Sequence, residues 1–201
     1  KIVVQDDIAN AAREEAQNRR GMVGAVPLVK IAGAAALAGK SLEEVATIAQ
    51  GFADNMATLA VAASGATNPA TGMEIAQVAA GCMEVGIGLH GEAGKAKPMA
   101  TAEETVSAML DALLEDLNVL AEEKLMVIVS GSGATSLMEQ LIIYRNCYAY
   151  LLEKEIEIVA SHVGELMTVQ EMAGFEICIA RMNEELVEYW NAPCRTPYFK
   201  K

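Results

Sequence analysis

The chain has 201 residues, 53% of them hydrophobic, and a net charge of −12. That acidic balance argues against a nucleic-acid or anionic-membrane partner. No apolar run reaches the ~18 residues that a membrane helix needs, and no secretory signal is evident; a cytoplasmic protein is expected.

The first residue is Lys1, and "KIVVQDD" reads as the end of a strand followed by a turn. The chain is therefore expected to begin inside a larger protein. Residues 10–20, "NAAREEAQNRR", are polar and helix-prone. "GMVGAVPLVKIAGAAALAG" is apolar nearly all round, which predicts a buried helix. Pro27 suits its first turn or a kink, and Gly39 a C-cap. The small residues Gly33 to Ala36 would admit a second helix or a second copy of the chain.

"SLEEVATIAQGFADN" opens with a capping box, Ser41 to Glu44. Leu42, Val45, Ala46, Ala49 and Phe52 fall on one face of that helix. "ATLAVAAS" predicts a buried strand and "GATNPATG" a loop. A second capping box, Thr101 to Glu104, starts a helix whose apolar face carries Val106, Met109, Leu110, Leu113, Leu114 and Leu117. "KLMVIVS" is a buried strand, and the glycine turn "GSGATS" leads into the helix "LMEQLIIYRNCYAYLLEK". "IEIVASHV" and "FEICIARM" are strands, and Asn183 caps the short helix "NEELVEYW". Strands alternating with helices predict an α/β domain with a largely buried sheet.

Four cysteines, Cys82, Cys147, Cys178 and Cys194, lie far apart without a CxxC pair, and there are two histidines. This is no zinc pattern, so reduced thiols and no metal are expected.

The segment "MEVGIGLHGEAG", residues 83–94, sets one of those histidines among four glycines. Read as a strand, it puts Met83, Val85, Ile87 and Leu89 on one face and Glu84, Gly86, Gly88 and His90 on the other. Two positions beside the imidazole then lack side chains, leaving room for a small ligand. A neutral imidazole there can act as nucleophile or base. The same residues also suit a strand-end histidine hydrogen-bonded to a turn. "VSGSGATS" is neither GxGxxG nor a Walker loop, so a tight strand-to-helix turn is favoured over an anion site. For His162 a structural or surface role is expected, and for Trp190 a packing role.

Taken in order, "RRGMVG", "KIAGAAALAG", "SLEEVA", "MEVGIGLHGEAG", "GSGATSLME", "MAGFEICIARMNEEL" and "WNAPCRTP" resemble the dihydroxyacetone kinase K subunit, the dihydroxyacetone-binding component. The likeness covers nearly the whole chain but only the C-terminal part of such a subunit. It implies an α/β fold with a mixed β-sheet flanked by helices. Residues 1–20 would end a preceding N-terminal domain or linker, and 21–201 would form the C-terminal, substrate-capturing domain. It implies that His90 bonds the ketone carbon of dihydroxyacetone as a hemiaminal, with Gly88 and Gly91 beside the substrate. A base aspartate and a second histidine would belong to the N-terminal domain. No cofactor is implied in this chain: nucleotide and Mg would sit on a partner L subunit, recharged in some bacteria by a phosphotransferase-system protein. A homodimer is expected. Ala93 stands where the family usually has Pro, "ASGATNPATG" departs from the family's usual loop, and "VSGSGATS" lacks the usual Asn. These departures bear on the choice between dihydroxyacetone and another short ketose such as erythrulose. The alternative is a non-catalytic paralogue that binds the triose and acts as a coactivator.

Overall fold

The computed structural model describes residues 1–88 and 94–201. A six-stranded mixed sheet lies between two helical layers. In chain order the helices are α1 (Ala25–Leu37), α2 (Leu42–Asp54), α3 (Ala102–Leu117), α4 (Leu137–Glu153) and α5 (Glu184–Asn191). The strands are β1 (Met56–Ala62), β2 (Ala66–Thr67), β3 (Glu74–Ile75), β4 (Cys82–Val85), β5 (Lys95–Pro98), β6 (Lys124–Gly131), β7 (Glu157–Gly164) and β8 (Gly174–Arg181). The main sheet runs β5-β4-β1-β8-β6-β7, and only β6 and β7 pair in parallel, joined through α4. The expected fold class is the observed one.

Alternation along each strand divides the core in two. Leu59, Val61, Val127, Val129, Ile177 and Ile179 face α3 and α4. Met56, Ile128, Cys178 and Ala180 face α1, α2 and α5, where Phe52 and Trp190 fill the centre. Trp190 is fully buried, as its packing role requires.

The helix signals hold at their ends. Ser41, Thr101 and Ser136 each close a full capping box, and Asn183 caps α5 through Leu186 N–H. Pro27 lies in the first turn of α1. Gly39, at φ +86°, ends that helix with Lys40 N–H on Ala35 O and Gly39 N–H on Ala36 O, the two bonds of a Schellman motif.

Elsewhere tertiary context overrides the pattern. α1 is not buried all round: Val29 and Leu37 are 71% and 82% exposed. Leu42 and Ala46 point to solvent, and Ala53 joins Ala49 and Phe52 inside. Residues 13–18 form a 3₁₀ segment rather than an α-helix, because Arg13 and Arg19 reach away to share the Asp116 carboxylate on α3. The loop 65–72 carries β2, which pairs with β3 in a separate two-stranded sheet.

Residues 1–8 contain no strand. They lie extended against the sheet, with one bridge between Asp7 and Thr58, and Ile2 and Val4 pack on the α1 side of the core. Thr58 N–H donates to Asp6 O at 2.7 Å, and Ile8 N–H to Thr58 O at 3.1 Å. This stretch occupies the edge of β1 that β4 leaves open, since β4 pairs only with Val61 and Ala62.

Two buried carboxylates sit under α1. Asp6 accepts from Met22 N–H at 2.7 Å and Gly24 N–H at 3.0 Å, and Glu176 accepts from Val23 N–H at 3.1 Å. Burial pushes the Glu176 carboxyl up to about 8, and Asp6 and Asp7 add to the rise against the Val23 bond. The group stays protonated in the fold while the unfolded chain ionises it above ~4.3. Stability should therefore fall as pH rises from that value to about 8, by up to ~1.4 kcal/mol per pH unit. Glu176→Gln should remove this slope. In thermal denaturation the variant should match the parent near ~pH 5 and exceed it near ~pH 9.

Candidate functional site

The expected site lies on the connection between β4 and β5. The two strands are antiparallel, and their last pair is Val85 with Lys95. The strand expected to run on towards His90 stops at Val85, so Gly86 and Gly88 do not share a strand face with Glu84. Gly86 is a corner instead. Its φ is +81°, a conformation that favours glycine. Its N–H donates to Ala60 O at 2.7 Å, and a Cβ there would stand 2.6 Å from the Ala9 Cβ. The glycine serves a turn and a close approach rather than clearing a strand face.

Beyond the corner, Ile87 turns inward among Met22, Ala60, Ala62, Ala66 and Met172. Gly88 is buried. On the returning arm Gly94 N–H donates to Glu84 Oε2 at 3.0 Å. A Cβ on Gly94 would sit 2.8 Å from Val85 O and 2.9 Å from Ile87 N. The two arms are thus packed backbone to backbone and tied by one carboxylate. His90 and Gly91 lie outside the described residues, as do Leu89, Glu92 and Ala93.

The glycine turn after β6 is a strand-to-helix turn, as favoured. Two of its backbone donors are already taken: Ser132 N–H by Gly174 O at 2.9 Å and Ala134 N–H by Met172 O at 3.1 Å. Gly133 has φ +129° with the Gln170 carbonyl against it. Ser136 Oγ caps α4 through Glu139 N–H, leaving no cradle for a phosphate. His162, on β7, is half-buried and packs against Phe199, the rings tilted at 47° with centroids 5.1 Å apart. Burial, and then Lys201, lower its pKa, so it is neutral at neutral pH. Among the described residues, no three His, Cys, Asp or Glu side chains group to hold a metal, and no helix is long and apolar enough to cross a membrane.

Residues 1–198 match the family model described as the Dak1 domain. The chain belongs to the Dak1 domain family. It is 36% identical over 200 residues to the dihydroxyacetone-binding subunit of PTS-dependent dihydroxyacetone kinase 2 of Listeria innocua, covering 99% of this chain and 60% of that subunit. It is 34% identical to the L-erythrulose kinase of Pectobacterium atrosepticum, across 100% of this chain and 35% of that enzyme. Among solved structures, the dihydroxyacetone kinase operon co-activator DhaQ superposes with a TM-score of 0.88 at 27% identity, over 96% of this chain and 60% of that one. The dihydroxyacetone kinase of C. freundii, in complex with AMP-PNP and Mg2+, gives 0.80 at 28% identity, over 94% of this chain and 34% of that one. This Dak1 domain thus spans three-fifths or less of the length of these relatives.

Sequence reasoning missed the buried polar groups of the domain. Glu176 lies in "FEICIAR" between a half-buried Phe175 and a buried run from Ile177 to Ala180. A lone charge inside such a run was the available signal. Gln140 and Glu165, hydrogen-bonded to each other across 25 residues of sequence, left none. Gly86→Ala should cost about 2 kcal/mol, since a side chain there meets both a strained φ and Ala9. Urea denaturation of the variant beside the parent measures it.

Proposed function

We propose that this Dak1 domain captures a short ketose for a dihydroxyacetone- or erythrulose-kinase-type protein, with His90 as the residue that bonds the substrate. The observation that carries this reading is the pair of locked arms, Gly86–Gly88 and Gly94, on either side of the His90 segment, in a chain that matches Dak1 along its length. The relatives it resembles are named for dihydroxyacetone and for erythrulose. Both compounds carry a C2 ketone beside a primary hydroxyl, which makes a 2-ketose the substrate class.

In the capture step a neutral imidazole nitrogen of His90 adds to C2. The carbonyl π pair moves to oxygen, which takes up a proton, and the ring loses its other N–H proton. No atom leaves, so the adduct has the full mass of the ketose. Glycerol lacks the carbonyl and cannot bond. Selectivity thus comes from bond formation rather than from hydroxyl contacts. Gly88 and Gly91 would lie beside the bound ketose. The phosphoryl group would come from a nucleotide with Mg held on an L-type subunit, and the base aspartate and second histidine from the N-terminal part that the family places before this stretch. A second copy of the chain would pair on α1, where Val29 and Leu37 are exposed and Gly33 has open space around it.

A second reading, a non-catalytic coactivator, draws on the co-activator structure, whose TM-score of 0.88 exceeds the 0.80 of the kinase. Capture is common to both readings, and phosphoryl transfer with an L-type subunit separates them.

Intact-protein mass spectrometry with dihydroxyacetone or erythrulose at neutral pH should show one adduct of full ketose mass. His90→Ala should abolish it and His162→Ala should retain it. Because the attacking nitrogen must be unprotonated, capture should weaken as pH falls below ~6.5. An adduct that survives in His90→Ala would overturn the assignment.

A further inference from the structure

A second cleft lies at the far side of the sheet. It opens where the parallel strands β6 and β7 end and α4 begins, and its volume is about 620 Å³. The ends of parallel strands are where ligands commonly sit in α/β sheets, and the volume falls in the usual range for small-molecule sites. Residues 133–137 form one wall and residues 162–165 the other, with Tyr198 and Phe199 beside them. β1 and β8 separate β6 from β4, the strand that leads into the His90 segment.

The cleft is lined by a polar pair with unmet needs. Gln140 is only 1% exposed. Its Nε2 donates to Thr135 O at 2.7 Å and to Glu165 Oε1. Both amide hydrogens are then used, and Oε1 has no partner among the described residues. Glu165 likewise leaves Oε2 unpartnered and buried. Buried acceptor oxygens are expensive to leave unmet, and besides Gln140 the Gly133 N–H faces the Glu165 carboxylate. Gly131 makes the pair possible: a Cβ there would run into both Glu165 Oε1 and Gln140 Nε2.

The surroundings select the chemistry. A cation is disfavoured by Lys200, which lines the cleft, and by Lys201, which acts on His162. An anion is disfavoured by Glu165 and by the capping box that already uses the α4 terminus. Neutral hydroxyl groups supply the donors that the two oxygens lack. The rings of His162, Tyr198 and Phe199 offer apolar surface to the C–H face of such a molecule. We infer that this cleft is a binding site for a small neutral polyol, two of whose hydroxyls donate to Gln140 Oε1 and Glu165 Oε2.

Erythritol is a suitable probe, because it has no carbonyl and cannot bond His90. Titrated into the ¹⁵N-labelled chain, it should shift the Gln140 side-chain amide and the His162 imidazole resonances in a saturable way. The shifts should persist in His90→Ala, which keeps this site separate from the capture reaction. Ala134 is exposed and lines the cleft. Ala134→Trp fills the space without entering the core and should abolish the shifts. Glu165→Gln keeps the bond to Gln140 but exchanges the free acceptor for a donor, and should weaken binding about five-fold. No saturable shift with erythritol, or shifts unchanged in Ala134→Trp, would overturn the site and leave only water in the cleft.

Discussion

One buried carboxylate organises this domain. Asp6, fully buried, binds three donors from two elements: the N–H groups of Met22 and Gly24 at the start of α1, and the Thr58 hydroxyl on β1. α1 begins at a glycine and has no side-chain cap of its own. Asp6 and Glu176 instead hold the turn that leads into the helix, by accepting from the Met22, Val23 and Gly24 N–H groups. Gly24 follows from the same contact, since a Cβ there would stand 2.5 Å from Asp6 Oδ2 and 2.7 Å from the Met56 sulfur.

The consequence reaches the candidate site. By fixing residues 6–8 against Thr58, Asp6 commits that half of the β1 edge. β4 can pair only with the remaining half, so it is short and must leave the ladder at Gly86, beside Ala9. The corner before His90 is thus set by a carboxylate some eighty residues earlier. The Arg13 and Arg19 guanidiniums add a second tie, converging on Asp116 with Arg19 itself only 4% exposed. A buried pair of this kind is weak evidence of net stability, but removing one partner strands the other's charge, which costs ~3–5 kcal/mol.

Glycine acts in this fold through what it lets approach. Gly94 admits the Val85 carbonyl, Gly133 the Gln170 carbonyl and Gly131 the Glu165–Gln140 pair. The two glycine-rich segments look alike as strings but work differently. One locks the arms around the His90 segment near one edge of the sheet. The other seats a polar pair at the end of β6, towards the opposite edge, where the β7–β8 connection satisfies its backbone.

The sequence alone determined the start points of α2 to α5, the four long strands' approximate places and the α/β class. Those depend on local capping and on periodicity, which neighbours in sequence can specify. It also singled out His90, through its glycine setting and the family resemblance. It did not determine that β4 ends at Val85, that residues 13–18 wind as 3₁₀, or that Val29, Leu37 and Leu42 face outward. Each of these depends on a partner distant in the chain: residues 6–8 on the β1 edge, Asp116 on α3, and the finite area of one sheet face that three helices share. The buried acids under α1 and the Gln140–Glu165 pair were likewise decided by tertiary structure. A polar side chain reads as solvated until the fold closes over it, and only then do its missing partners become visible.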